Sequence, residues 1–91
     1  MSRPCKRRRV RGNPNSSYFK PAGIRLIDLE EVILSLSEFE AIRLIDSEGV
    51  LQINAGEKMQ ISQPTLSRIL ASGRKKIANA ITNGKAIRIE K

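Results

Sequence analysis

Gln63, Ser67 and Arg68 are the residues of this chain whose types and spacing suit the recognition of nucleic-acid bases. Gln and Arg side chains can each make a pair of hydrogen bonds in the major groove of DNA, to adenine and to guanine edges respectively. Residues four apart on a helix lie on the same side of it, so one helix could direct these side chains at one duplex. They are the candidate base contacts, provided that a helix exposes them.

A helix-turn-helix would expose them, and residues 52–70 (QINAGEKMQISQPTLSRIL) have its pattern. Ala55 and Gly56 are small enough to let a second helix approach closely. Ser62 can accept a hydrogen bond from a first-turn N–H, and Pro64 is tolerated there because that N–H has no partner within the helix. The apolar contacts would come from Met59, Ile61, Leu66 and Ile69. Ordinary helical hairpins share this pattern, so the segment alone leaves DNA binding and a plain hairpin open.

The same pattern sets the bounds of the two helices. The first of them begins at residue 50 or 51 and ends at 59, residues 60–61 form the turn, and the next helix runs from 63 towards 83, where Gly84 ends it. Its apolar side consists of Leu66, Ile69, Leu70, Gly73, Ile77 and Ile81, and its opposite side of Pro64, Arg68, Ala71, Ser72 and Lys75. No acid occurs between positions 63 and 85, so no ion pair within this helix accounts for its basic residues. That absence favours an external anion.

An earlier helix is predicted by a capping box formed by Ser37 and Glu40, with Ser at the cap and Glu three residues on. The apolar stripe of this helix consists of Leu36, Phe39, Ile42 and Ile45. Gly49 can take the left-handed conformation that ends such a helix. Together with the two helices of the helix-turn-helix, this makes a three-helix domain.

Two short strands complete the predicted elements. Residues 24–33 fit a short helix, but residues 32–36 alternate in polarity and favour a strand; residues 85–90 (KAIRIE) predict a terminal strand that could pair with it. The predicted fold class is mainly α: a three-helix helix-turn-helix domain at residues 21–91 with one or two short β-strands. A basic, flexible N-terminal arm covers residues 1–20.

The net charge of +8 points to a polyanionic partner, and it is unevenly placed. Residues 1–25 hold eight basic residues and no acid, residues 26–60 hold eight acids against two basic residues, and residues 61–91 hold seven basic residues against one acid. This distribution is expected if the arm and the last helix face phosphates while the acidic segment faces away. The arm alone could also be a solvated tail, or could lie along phosphates or in a minor groove.

Candidate phosphate contacts share a cationic or hydroxyl side chain on the arm or the last helix. They are Arg3, Lys6, Arg7, Arg8, Arg9, Arg11, Ser62, Thr65, Arg74, Lys75 and Lys76. For Thr65 two roles stay open, because its hydroxyl could bond a phosphate or close the first turn of the helix.

Several classes of protein are disfavoured by composition. Cys5 is the single cysteine and histidine is absent, so we expect no intramolecular disulfide, no metal site and no cofactor, with Cys5 an exposed thiol in the arm. The three aromatic residues, Tyr18, Phe19 and Phe39, are expected in the core. No apolar run approaches ~18 residues, and none follows the basic start as a signal peptide requires. We therefore expect no membrane association and a cytoplasmic, nucleoid-associated protein.

A resemblance to a known family emerges from motifs spread over nearly the whole chain. They are RP near the start, RRV, YFKPAGI, LEEVILSLSEFEAIRLIDSEG, the helix-turn-helix and GKAIRIE. In these the chain resembles an uncharacterised prokaryotic family of small proteins of the UPF0251 type, considered DNA-binding. The helix-turn-helix of that family is similar to the one in region four of sigma factors. The resemblance implies a base-reading helix that begins near Ser62 and a role in transcription.

Three positions depart from the pattern that is common in that family. Arg7 stands where a cysteine often precedes RRV, which argues against thiol chemistry in the arm. Gln60 stands where the turn often has Gly, so it must adopt a conformation that Gly reaches more easily. Gly56 replaces the second of two alanines, at a cost of about 1 kcal/mol in helix stability, but keeps the close approach.

These observations predict a sequence-specific binder of double-stranded DNA, a transcriptional regulator that reads the major groove with the helix starting near Ser62. Two alternatives remain. One is a sigma-like interaction module that binds RNA polymerase through the acidic residues Asp28, Glu30, Glu31, Glu38 and Glu48. The other is RNA binding through the arm, disfavoured by the lack of aromatic platforms. A homodimer is left open as a further partner. An enzyme is not expected, because His, a phosphate-binding loop and a paired carboxylate site are all missing; Glu38 and Glu40 are two apart and do not share a helix face.

Overall fold

Three helices and three short strands make up the computed structural model, which describes residues 10–90. The helices are α1 (Leu36–Ile42), α2 (Gln52–Met59) and α3 (Gln63–Asn83), and a π-helical segment, Arg43–Ser47, continues directly from α1. The strands are β1 (Tyr18–Phe19), β2 (Glu31–Leu34) and β3 (Ala86–Ile89), and a single 3-10 turn covers Leu26–Asp28. The predicted class, mainly α with a few short strands, is confirmed.

Helix α1 begins two residues earlier than the sequence analysis predicts. Its capping box is formed by Ser35 and Glu38: the Ser35 hydroxyl accepts from the Glu38 N–H at 3.1 Å, and the Ser35 N–H donates to the Glu38 carboxylate at 2.8 Å. The predicted box at Ser37 is therefore wrong. Two overlapping Ser-x-x-Glu patterns occur in SLSEFE, and the earlier one caps the helix, which leaves Glu40 free for other partners.

The end of each predicted helix is confirmed. Gly49 and Gly84, the residues expected to stop α1 with its extension and α3, have φ of +75° and +66°. Helix α2 starts at Gln52 rather than at residue 50 or 51, and α3 covers the predicted range. The core lies among the three helices and consists of Ala41, Leu44, Ala55, Met59, Leu66 and Leu70.

A three-stranded sheet in the order β1-β3-β2 packs beside α3. The predicted pairing of the two longer strands is confirmed: β2 runs parallel to β3, with Val32 opposite Ile87 and Leu34 opposite Ile89. Strand β1 was not predicted, because a two-residue strand carries no alternation of its own. It pairs antiparallel with β3, placing Tyr18 opposite Arg88.

Two residues expected in the core lie at the surface. Ile81 is 75% exposed. Ala80 is buried instead, because it lies two helical turns after Gly73 and therefore on the same side of α3. Phe19 is 52% exposed, since β1 is an edge strand and its side chain lies at the border of the sheet. Tyr18 and Phe39 are half-buried. No helix within residues 10–90 is long and apolar enough to cross a membrane.

Candidate nucleic-acid interface

The turn between α2 and α3 fixes the direction of α3 relative to α2. Gln60 adopts the left-handed conformation (φ 59°, ψ 44°) that the sequence analysis required of it, and the Ile61 N–H donates to the Gly56 carbonyl at 3.0 Å. A Cβ on Gly56 would lie 3.2 Å from the carbonyl oxygen of Ile61. Glycine therefore lets the turn fold back closely onto α2, whereas the sequence analysis assigned the close approach to the second helix.

Ser62 caps α3 as predicted. Its hydroxyl accepts from the Thr65 N–H at 3.3 Å and donates to the Thr65 hydroxyl at 3.0 Å. Of the two roles left open for Thr65, closing the first turn is the one that these contacts match. Pro64 is the second residue of α3, where its missing N–H costs no hydrogen bond.

The outer face of α3 is defined by Pro64, Ser67, Arg68, Ala71, Lys75 and Ala78, all of them exposed. Gln63, the first residue of the helix, is exposed beside this face. Within residues 10–90, the side chains of Gln63, Ser67, Arg68 and Lys75 make no hydrogen bond or ion pair. The outer face thus combines two unpaired cations with small side chains, and it carries no acid.

The inner side of α3 meets α1 and the π-helical segment, and it is defined by Ser72, Gly73, Arg74 and Lys76. The predicted place of Ser72 on the opposite side is wrong, because its hydroxyl donates to Glu38 of α1. The crossing point is Gly73: a Cβ there would lie 2.8 Å from the Cδ1 atom of Ile42 and 3.1 Å from the Cβ atom of Glu38. Two helices can approach this closely only where one of them lacks a side chain. Gly73 therefore sets how α3 lies on α1, and so which side of α3 remains uncovered.

Glu38 joins the start of α1 to the inner side of α3. Its side chain is nearly buried, and it accepts from the Ser72 hydroxyl at 2.5 Å and from the Lys76 ammonium at 2.9 Å. Burial, the largest influence, raises the pKa of Glu38, but the hydrogen bonds from Ser72, the Ser35 N–H and Lys76 outweigh it. The pKa of this carboxyl therefore lies below its ordinary value, and it is ionised at neutral pH.

Arg74 is paired on the other flank of the inner side. Its guanidinium binds both carboxylate oxygens of Asp46, at 2.6 and 3.0 Å, and thereby lowers the pKa of Asp46. Although α3 contains no acid, two of its four cations are thus paired with acids of other elements, which corrects that step of the sequence argument. Arg74 and Lys76 use their charge inside the molecule, whereas Lys75, between them in sequence, does not.

The remaining predicted phosphate contacts belong to the N-terminal segment. Arg3, Lys6, Arg7, Arg8 and Arg9 lie outside the described residues, as does Cys5. Arg11 is exposed, and its guanidinium makes no hydrogen bond or ion pair in the described part of the chain. Residues 11–19 follow the domain surface and end in β1, so the described part of the predicted arm is attached to the domain.

The acidic residues proposed as a docking face are each paired with a basic residue. The pairs are Asp28 with Arg25, Glu30 with Lys85, Glu31 with Arg88, Glu38 with Lys76 and Glu48 with Arg43. Glu31 also accepts from the Tyr18 hydroxyl at 2.7 Å, and the hydrogen bonds from Arg88 and Tyr18 lower its pKa. These acids therefore neutralise cations of the chain itself, of which three come from α3 and the residues that follow it.

Sequence reasoning missed the structural roles of Glu40 and Arg43. Glu40 is 1% exposed, and its two carboxylate oxygens accept from the Nε and Nη2 atoms of Arg43, at 2.9 and 2.8 Å. The spacing of three between them is the usual signal for an ion pair along a helix. In residues 10–90 no group of three or more His, Cys, Asp or Glu side chains is arranged to hold a metal ion.

The class of protein that this arrangement defines is a small, mainly helical domain, in which three helices pack with a three-stranded sheet and the last helix has an acid-free outer face. The chain belongs to the family described as "Protein of unknown function DUF134", whose model matches residues 1–91. A UPF0251 protein of Caldanaerobacter subterraneus subsp. tengcongensis is 57% identical over 99% of this chain and 76% of its own length. UPF0251 proteins of Thermoanaerobacter pseudethanolicus and Halothermothrix orenii are each 52% identical over 99% of this chain, and over 76% and 67% of their own lengths. No solved structure matches the chain.

Proposed function

We propose that this chain is a sequence-specific double-stranded DNA-binding protein that regulates transcription, and that it acts by binding rather than by catalysis. The single observation that carries the proposal is the outer face of α3, where Arg68 and Lys75 are exposed, have small neighbouring side chains and have no partner among residues 10–90. A helix with that face fits a groove between two phosphate backbones, since it adds cations without adding bulk or negative charge. Such a protein would work in the cytoplasm, at the nucleoid.

In this mechanism the residues of the outer face have different roles along the length of α3. Gln63, Ser67 and Arg68, in the first two turns of α3, contact base edges and set the sequence preference. Lys75, two turns further along the same face as Arg68, neutralises a phosphate. Arg11 and the basic residues before it add further phosphate contacts, which set affinity without regard to sequence.

The test begins with selection of bound duplexes from a random pool, followed by fluorescence anisotropy on the selected site and on random duplex. We expect Arg68→Ala to weaken binding to the selected site by about 1–3 kcal/mol, or roughly 5- to 150-fold, and to relax the sequence preference. Arg25→Ala is the control, because it removes another exposed arginine, and the same charge, from a loop that precedes β2. An equal loss of affinity for selected and random duplex would show that Arg68 contacts a phosphate and no base.

Salt dependence and RNA supply the remaining arms of the test. Binding through several phosphates must weaken steeply as salt rises, whereas a protein that ignores duplex at low salt contradicts the proposal outright. Structured RNA is compared at matched salt, because Phe19 is a more exposed aromatic residue than the sequence analysis expected. Binding to RNA polymerase and formation of a homodimer stay predictions. All five acids proposed to dock on RNA polymerase are paired with basic residues of the chain, which argues against that partner.

A further inference from the structure

The N-terminal segment is fastened to the domain at two separate places. At its far end, Tyr18 and Phe19 pair with β3, and the Ser17 carbonyl accepts from the Ile89 N–H at 2.8 Å. At its near end, the N–H groups of Arg11 and Gly12 donate to the two carboxylate oxygens of Glu40, each at 3.1 Å. The second attachment is notable because it holds main chain directly beside the most basic stretch of the sequence.

The second attachment is a closed cluster, which we name the Glu40 clamp: Glu40, Arg43 and the main chain of Arg11 and Gly12. Each oxygen of the buried Glu40 carboxylate accepts one bond from Arg43 and one from the main chain. A Cβ on Gly12 would collide with the Cδ and Nε atoms of Arg43, so a side chain at position 12 would displace the guanidinium from Glu40. The contact therefore depends both on the Arg43 guanidinium and on the lack of a side chain at Gly12.

The Glu40 clamp lies on the side of α1 that is turned away from α3. Glu38 and Ile42, four apart, face α3 at Ser72 and Gly73, whereas Glu40 lies two residues from each and so about 200° around the helix. Residues 11 and 12 are thus attached to the domain behind α1. The seven residues of the basic stretch, 3–9, can span at most about 25 Å, which exceeds the roughly 10–12 Å diameter of a helix. The stretch is long enough to pass α1 and reach phosphates beside α3.

We propose that Glu40, acting with Arg43, is a positioning residue that directs Arg11 and the basic stretch of residues 3–9 onto DNA phosphates. This inference rests on the proposed function. Fixing the chain at residues 11–12 removes freedom that binding would otherwise have to remove, so the clamp raises affinity without touching DNA.

A four-chain cycle separates positioning from mere stability. The chains are the wild type, Glu40→Gln, a chain with Lys6, Arg7, Arg8 and Arg9 all changed to Gln, and the combination; affinity for random duplex is measured by fluorescence anisotropy at several salt concentrations. We expect Glu40→Gln to weaken binding about fivefold with the native arm, with a smaller salt slope, and less than twofold with the neutralised arm. Equal fold losses in both backgrounds would overturn the proposal.

Two further variants keep the outcome clear. Gly12→Ala breaks the clamp without changing α1 and should reproduce the arm-dependent loss; it decides the question if circular dichroism shows that Glu40→Gln unfolds. Glu48→Gln is the matched control, because Glu48 binds Arg43 at 2.6 Å from outside the clamp. It should leave DNA affinity unchanged.

A measurement without DNA separates failure of the clamp from failure of the proposed function. Trypsin should cut the bond between Arg11 and Gly12 about tenfold faster in Glu40→Gln than in the wild type, because cleavage requires that main chain to detach. Unchanged cleavage would disprove the clamp, whatever the chain binds. A wild type that shows the protection but binds no duplex at low salt would disprove the proposed function, and the role in DNA binding with it.

Discussion

The inner side and the outer face of α3 carry matching sets of polar side chains in different surroundings. The inner side has Ser72, Arg74 and Lys76, and all three bind carboxylates of α1 or the π-helical segment that follows it. The outer face has Ser67, Arg68 and Lys75, which have no partner within residues 10–90. Residue type alone therefore does not decide which cations remain available to an external anion. The crossing of α1 over α3 decides it, by covering one side.

The largest expected effect comes from breaking that crossing. Gly73→Val would place methyl groups where even a Cβ lies 2.8 Å from Ile42, and we expect it to lower the free energy of unfolding by about 3 kcal/mol. Urea denaturation followed by circular dichroism measures this. Ala78→Val, on the outer face of the same helix, should cost only about 0.5 kcal/mol, the difference in helix propensity. Similar losses for the two variants would show that the close contact at Gly73 does not determine the packing.

A smaller effect is expected from acid, because the inner side depends on ionised carboxylates. The pKa values of Glu38 and Asp46 are lower in the folded chain than in the unfolded one, so the unfolded chain takes up protons first as pH falls. Their contribution to stability is complete above the ordinary glutamate pKa of 4.5 and is lost as pH falls through the folded pKa values.

Melting temperature recorded between pH 7 and pH 3 tests this sign. We expect little change down to about pH 5 and a progressive fall below it, with a weaker fall in Glu38→Gln, which has no carboxyl to protonate at that position. Arg43 and main-chain N–H groups lower the pKa of Glu40 against the opposing effect of its burial, so part of the acid dependence should survive in that variant. A variant that follows the wild-type curve would exclude Glu38 as a source of the acid dependence.

Local signals in the sequence were sufficient to predict α3. Ser62 and Pro64 mark its start and Gly84 its end, and each of these acts through the backbone of its own turn. The outer residues Arg68 and Lys75 could be predicted to be exposed for the same reason, since the apolar spacing assigns them to the opposite side from the core. Local chemistry of this kind does not depend on how the rest of the chain folds.

The pairing of α3 with other elements could not be predicted in this way. Arg74 meets Asp46 from 28 positions away, and Lys76 meets Glu38 from 38 positions away, so both pairs depend on the angle at which the helices cross. The start of α1 was missed because its sequence offers two overlapping capping boxes. The choice of Ser35 leaves Glu40 available to the N-terminal segment, a contact that no local pattern reveals.

The smallest effects should come from Arg74 and Lys75. These two cations are adjacent in sequence, but Arg74 is paired with Asp46 and Lys75 has no partner within residues 10–90. We expect Lys75→Ala to reduce the slope of log affinity against log salt by about 0.9, the loss of one phosphate contact, and to leave stability unchanged. Arg74→Ala should keep the slope and lower stability only slightly, because its ion pair with Asp46 is more than one-third exposed and is screened by solvent. Since each change removes one cation from adjacent positions, a general effect of net charge would lower both slopes equally. Only a difference in what the two side chains face can produce opposite results, so equal slopes would contradict the distinction between the two sides of α3.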